Sequence, residues 1–524
     1  MHGAVAAGHR VTAEAGAAAL AAGGNAVDAV VAAGVMSWAA EPGLTGPCGG
    51  GFVLVRPGGG RPPALLDAFT AIPGRELPAG RELAAVDHVV VPFDEQTTQS
   101  FHIGPAACAV PGVVAGLFAV HSRYGRLPWR DLLMPAAEAA ERGVGAHGGQ
   151  YAVLVAIRAI LEHTPEVHAL FSIGGRFVAE GDPIRQPDLA ASIAAIAERG
   201  PAVFYTGDLA RAMVAHQGRT GGRLTAADLA SYRPVWRRPL RISYADRELV
   251  TNPPPSSGGV LIGHSLAVLD GAGRPLPPGR AATLRAYAEA MRSAARLRDR
   301  RFERLLHRGG LAGHVLSPAA VAAGRAAVAA ALRGEPRPAA AAVPADAGTT
   351  HVSVVDRDGN AAAFTASNGC HSGVVVPGTG LHLNNMMGED DLSAGRHLAP
   401  GTRLTSMQSP SVVTRGGAVE LVLGSSGSNR LRSAILQVAV NVVDHGMTAR
   451  EAVDHPRIHV EGDRLDCEGG IDLEVLAALE AWGERVNRFD SLNLYFGGAN
   501  AVRVHGGGLD AAGDPRRDGH GVVL

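Results

Sequence analysis

A glycine followed by a threonine at the head of a β-type run is the pair in this chain best suited to chemistry on itself: Gly348-Thr349-Thr350-His351-Val352-Ser353-Val354-Val355. A threonine hydroxyl becomes a usable nucleophile when its own α-amine is free to act as general base, which requires the threonine to begin a chain. Cleavage before Thr349 supplies that amine, and the same hydroxyl can make the cut. Oγ attacks the preceding carbonyl, an ester replaces the peptide bond, and water releases the new terminus. Gly348 suits the step because it has no Cβ to block attack or to resist a strained backbone. Taken alone, the same residues more simply describe the start of a strand, since short patterns match by chance.

A second segment with chemical potential is Val419-Glu420-Leu421-Val422-Leu423, then Gly424-Ser425-Ser426-Gly427-Ser428-Asn429-Arg430, then an apolar helical run from Leu431 to Val443. In a strand, Gly/Ser loop, helix arrangement the backbone N–H groups converge and favour negative charge, as in an oxyanion hole or a phosphate site. No Walker lysine follows, which disfavours a nucleotide phosphate loop. A tight turn needing glycine for packing is the plainer alternative. Leu404-Thr405-Ser406-Met407-Gln408-Ser409-Pro410 gathers hydroxyls, and Leu383-Asn384-Asn385-Met386-Met387-Gly388-Glu389-Asp390-Asp391 gathers amides and carboxylates. Either is a polar loop or a source of the few polar groups that orient a small ligand. His455 and His459 are spaced as metal ligands are, but Pro456 breaks the helix that would align them, so no metal site is expected.

The elements that must position these residues are legible as patterns. Small apolar residues recur at helical spacing from Val11 to Ala22 and from Ala26 to Val35, with Asn25 at an N-cap position. Gly49-Gly50-Gly51 feeds Phe52-Val53-Leu54-Val55, a buried strand. Helical patterns cover Gly112–Tyr124 and Trp129–Glu141, and Thr225-Ala226-Ala227-Asp228 reads as a capped helix start. The first two-thirds is therefore expected to be mainly helical. Residues Ala319 to Gly348 are Ala-rich with Pro and Gly, a linker expected to be mobile in part. Beyond it, Thr349–Val355 and Ala361–Ser367 flank the turn Asp356-Arg357-Asp358-Gly359-Asn360, which predicts a β-hairpin. A linker meeting a hairpin at a hydroxyl residue sets the expected boundary at 348/349.

Composition excludes several functions. The 48 basic and 49 acidic side chains give a formal net charge of −1, with no global field for nucleic acid or an anionic membrane. A small-molecule substrate fits better. Cys48, Cys108, Cys370 and Cys467 are scattered, without CxxC or metal spacing, and read as free thiols. Gly, Pro or charge interrupts every apolar stretch short of the roughly 20 residues a membrane helix needs. The N-terminal residues carry no secretory pattern, so cytoplasmic residence is expected.

Together these segments resemble the γ-glutamyltranspeptidase family of N-terminal-nucleophile hydrolases almost end to end. Thr349–Asp356 with Asp358-Gly359-Asn360 is similar to the start of that family's small subunit. Further similar blocks are Gly23-Gly24-Asn25-Ala26-Val27-Asp28-Ala29, Gly49–Phe52, Val110–Gly116, Pro253–Gly259 and Asp514-Pro515-Arg516-Arg517. The resemblance implies an α+β fold, a four-layer αββα sandwich. It implies self-processing into a large subunit, 1–348, and a small subunit, 349–524, joined as a heterodimer in one intertwined unit. It also implies acyl transfer through a threonyl ester, without cofactor or metal.

By position, the resemblance makes Thr349 the nucleophile and Ser367 its supporting hydroxyl. Gly427 and Ser428 become the oxyanion-hole donors, Thr405 and Ser406 the hydroxyls that contact the substrate carboxylate, and Glu389 the acid that meets the substrate amine. Two positions depart from the family pattern: Phe69, in Asp67-Ala68-Phe69-Thr70, stands where glutamate-binding members carry arginine, and Met386 stands where they carry an amide. The expected function is acyl transfer or hydrolysis on a small amino-acid-like amide. A genuine γ-glutamyltransferase or glutathione hydrolase, a carbon–carbon bond hydrolase of specialised metabolism, and an inactive scaffold with the same fold are the alternatives.

Overall fold

The computed structural model describes residues 3–92, 98–271, 273, 276–335, 348–389, 392 and 398–524. The hairpin predicted after Gly348 is present as strands Thr350–Asp356 and Ala361–Ser367, in register Val352 opposite Phe364. Its turn is held by the Asp356 carboxylate, which accepts from the backbone N–H of Asp358 and Asn360 and from the Asn360 amide. The same carboxylate accepts from Ala26 N at 2.9 Å, joining the hairpin to a helix far away in sequence.

This hairpin is the middle of a seven-stranded antiparallel sheet. In spatial order the strands are Val235–Arg237, Ala64–Ala68, Gly50–Arg56, Ala361–Ser367, Thr350–Asp356, Gly3–Ala7 and His520–Val523. A second, six-stranded antiparallel sheet runs Leu240–Tyr244, Arg247–Thr251, Ser411–Arg415, Ala418–Ser426, Gly498–His505, Gly508–Ala512. Strand side chains alternate between faces, and the cores follow that period. Phe52, Leu54, Ala361 and Ala363 share an apolar core with Val250, Val412, Val422 and Val502 of the second sheet. Val53, Val55, Ala362 and Phe364 face instead the helices Arg10–Ala21, Ala26–Ala40, Val113–Tyr124 and Trp129–Arg142. Leu249, Val413, Leu421 and Leu423 face the helices Gly258–Asp270, Ala281–Arg296 and Arg430–His445. The order of layers is therefore helix, sheet, sheet, helix.

Small residues make that packing close. Helix Ala26–Ala40 is buried along its whole length, and Asn25 closes its start with a capping box to Asp28. A Cβ at Gly34 would stand 2.8 Å from the Phe364 ring, so glycine is what lets this helix settle on the hairpin.

Two expectations are corrected here. The first two-thirds of the chain is rich in helix, as read, but it also supplies four strands of the first sheet and two of the second. Those short strands are interleaved with the later ones, a pairing that local periodicity does not reveal. The Ala-rich segment begins as a regular helix, Pro318–Leu332, capped by Ser317 and anchored through Val328. Alanine is the strongest helix former, which outweighs the linker-like composition. Residues 336–347 of the expected linker lie outside the described residues.

Candidate active site

Both sheets end at the same pole of the sandwich. Thr349 precedes its strand there, Ser367 closes the partner strand opposite Gly50, and strand Ala418–Ser426 runs out into Gly427 and Ser428. Between them lies a pocket lined by Phe69, Thr349, Ser367, Met386, Glu389, Leu392, Ser406, Met407, Gln408, Ser428 and Leu431. Of the residues singled out from sequence, Thr349, Ser367, Ser428, Glu389, Ser406, Phe69 and Met386 meet on this one cavity. Thr405 does not: its Oγ1 donates to Leu392 O at 2.9 Å. Gly427 stands one residue behind the wall, and Gly348 lines a separate cavity on the other side of the Gly348–Thr349 bond.

The geometry around that bond is tightly specified. Gly348 has φ +96°, and a Cβ there would fall 1.8 Å from Gly369 O. Ser367 Oγ donates to the Gly348 carbonyl oxygen and accepts from Gly369 N at 2.9 Å. A hydroxyl thus polarises the carbonyl that precedes Thr349. Asn385 holds the supporting loop, accepting from Cys370 N at 3.0 Å. Asn384 is likewise structural, tied to Cys48 O and to both backbone groups of Ala109. The amides of this cluster therefore build the wall rather than face the pocket. Asp390 and Asp391 lie outside the described residues.

Gly427 and Ser428 have φ +108° and +57°, successive positive angles of the kind that turn neighbouring N–H groups into one concavity. A Cβ at Gly427 would meet Gly497 Cα at 2.7 Å. The helix Arg430–His445 starts directly behind, adding its positive end to the same place.

Among the described lining residues Glu389 carries the only charge, with Ser406 and Gln408 as further polar groups. Phe69 stacks on Phe52 with ring centroids 5.5 Å apart. Asp67, two residues earlier, is paired with Arg237 at 2.7 Å. Arg81 is spent on the carbonyls of Gln217 and Gly218 and does not line the pocket. His459, one of the two histidines spaced like ligands, is engaged by Ser433 at 2.8 Å.

Two groups near the bond were not singled out from sequence. Glu41, wholly buried at the end of helix Ala26–Ala40, accepts from Thr350 Oγ1 at 2.5 Å and from Thr12 Oγ1 at 2.8 Å. Burial pushes its carboxyl up to about 7, and the two hydroxyls and Arg517 oppose the shift. A lone glutamate closing an otherwise small and apolar run was the available signal. His351 lies between the sheets, bonded to Thr365 at 2.7 Å and Ser353 at 2.9 Å. Burial drives it down to about 3, so it is neutral.

Comparisons with known proteins bear on the chain as a whole. The family described as Gamma-glutamyltranspeptidase matches residues 12–524. The chain is similar to the acylase ACY 1 proenzyme of a Pseudomonas species (strain V22), 34% identical over all of this chain and 93% of that protein. It is also similar to the glutathione hydrolase proenzyme of Pseudomonas aeruginosa, 32% identical over all of this chain and 94% of that one. The solved cephalosporin acylase from Bacillus halodurans superposes with a TM-score of 0.83 at 25% identity, covering 99% of this chain and 95% of the other. With a family match and such relatives spanning nearly the whole sequence, the chain belongs to the gamma-glutamyltranspeptidase family and is an enzyme of the N-terminal-nucleophile hydrolase type.

Proposed function

We propose that this protein is a proenzyme that cuts itself before Thr349 and then uses the freed threonine to move the acyl group of a small amino-acid-like amide to water or to an acceptor amine. The observation that carries the reading is the meeting of Thr349, Ser367 and Ser428 on one pocket where, among the described residues, Glu389 supplies the charge. In the uncut chain, Ser367 draws electron density from the Gly348 carbonyl as Thr349 Oγ attacks it. The hydroxyl proton passes to the departing nitrogen, an ester forms, and water hydrolyses it. The free α-amine then serves as base for attack on the donor. Negative charge on the donor carbonyl is met by the backbone N–H groups of Gly427 and Ser428.

The donor reading follows from the lining. A carboxylate facing apolar walls of Phe69, Met386, Leu392 and Met407 suits a donor that presents an amine and an apolar body. A free α-carboxylate has no guanidinium to pair with among these residues. The similarity to acylases as well as to glutathione hydrolases supports this choice. Large and small fragments would remain one heterodimer, because strands from both sides of residue 348 alternate in the same sheet.

Intact-mass analysis and N-terminal sequencing of the purified protein test the first part: two fragments are expected, the smaller beginning at Thr349, with Thr349→Ala staying whole and inactive. A panel of γ-glutamyl and aminoacyl or acyl amides tests the second. Preference for the γ-glutamyl donor would overturn the donor reading and leave the nucleophile standing.

A further inference from the structure

On the far side of the Gly348–Thr349 bond lies a second, small cavity, lined among the described residues by Leu44, Val153, Ile157, Leu494 and Cys370 together with Gly348 itself and Arg517. Arg517 is 3% exposed. Its guanidinium makes a long hydrogen bond, Nη2 to Leu494 O at 3.4 Å, and its Nε has no partner among the described residues. Burial and the neighbouring Arg430 pull it down to about 10, against the pull of Asp514 and Glu41. Its backbone, by contrast, is fully placed: the carbonyl accepts from Gln150 Nε2 at 3.0 Å and the N–H donates to Asp514 O. A buried guanidinium with so little hydrogen bonding is expensive to keep unless it is used. It also lies close behind the Gly427 turn, since Nη2 would stand 3.5 Å from a Cβ at Gly427.

We infer that Arg517 is the cation for self-cleavage, stabilising the negative charge that forms at Gly348. The inference rests on the reading that the chain cuts itself before Thr349. Charge appears at Gly348 twice: on the carbonyl oxygen when Thr349 Oγ adds to it, and on the terminal carboxylate after water has broken the ester. Ser367 meets the first from the pocket side with a neutral hydroxyl. From the rear cavity Arg517 offers a full charge in an apolar surround, where such a charge acts strongly. No atom of Arg517 enters the covalent steps. The hydroxyl proton goes to the leaving nitrogen, and the proton shed by the new carboxylic acid goes to the new amine.

The test is a time course of precursor conversion in full-length chains, read by mass, for wild type, Arg517→Gly, Arg517→Lys and Arg517→Met. Arg517→Gly is expected to convert at least about tenfold more slowly and to be accelerated by millimolar guanidinium, a group the enlarged cavity can hold, but not by urea, which has the same shape without the charge. Arg517→Lys is expected to convert faster than Arg517→Met at matched melting temperature, a comparison that stands even if the glycine variant does not fold. Conversion of Arg517→Gly at the wild-type rate, equal rescue by urea, or equal rates for the lysine and methionine variants would overturn the inference and leave the nucleophile reading intact. A wild-type chain that never cleaves overturns both.

Discussion

Under the proposed function the residues of the pocket divide into those that attack and those that choose. Ser367 belongs with the first, because its hydroxyl sits on the carbonyl preceding Thr349 and is itself held by Gly369 N. Removing one donor aimed at a developing oxyanion costs on the order of 100- to 1,000-fold. Ser367→Ala should slow precursor conversion by that order with an unchanged melting temperature, while Ser367→Thr, which keeps the hydroxyl, should stay near wild type. Conversion of the alanine variant at the normal rate would remove Ser367 from the cut. Phe69 belongs with the second group. A charge-assisted pair contributes about 1.5–3 kcal/mol, so Phe69→Arg is expected to raise kcat/KM for a γ-glutamyl donor by roughly ten- to a hundredfold and to lower it for apolar acyl amides. No change in the ratio of the two would mean that position 69 does not set donor choice.

Among the elements, the turn between strand Ala418–Ser426 and helix Arg430–His445 carries a visible strain. Ser428 holds φ +57°, a left-handed conformation that costs a non-glycine residue roughly 1–2 kcal/mol. Its backbone N–H is what the oxyanion reading uses, and glycine keeps it. Ser428→Gly should therefore stabilise the protein by about 1 kcal/mol in urea unfolding and leave turnover within a few-fold. A loss of more than tenfold in kcat would show that the serine side chain takes part. The strand, loop and helix here were legible in the sequence because period-two and helical patterns meet at a Gly/Ser run, and the hairpin after Gly348 was legible for the same reason. The amides of Asn384 and Asn385, which the sequence left open as a polar loop or a source of ligand groups, are structural. Their partners, Cys48, Ala109 and Cys370, come from three segments that only folding brings together.

For the molecule as a whole, burial of ionisable groups sets an acid limit. His9 is lowered to about 4, and His351 and His371 to about 3, chiefly by burial. Each is neutral in the fold and charged in the unfolded chain below about pH 6.5. The unfolded state therefore binds more protons, and the stability these residues contribute is present above pH 6.5 and lost as pH falls toward their folded values. Glu41, raised to about 7, acts in the opposite sense: its contribution is full below its unfolded value near 4.5 and fades as pH rises through 7. Three histidines outweigh one glutamate, so unfolding free energy is expected to fall by on the order of 4 kcal/mol between pH 7 and pH 5. Urea titrations at the two values check this, and a stability that is flat or rises on acidification would show that the histidines are solvated.

The sequence by itself determined the nucleophile candidate, the hairpin that bears it, the capped helices, and the family to which the chain belongs, because each rests on contiguous residues whose spacing carries the physics. It also shows phenylalanine at position 69. Only the tertiary structure decided that Ser367 rests on the carbonyl before Thr349, that Thr405 turns to Leu392, and that Glu41 and Arg517 stand near the Gly348–Thr349 bond. The first two depend on chain folding back over 19 and 13 residues, and the last on segments as much as 309 residues apart meeting at one pole of two packed sheets. Burial there, which no local pattern encodes, is what sets the charge and hydrogen bonding of each group.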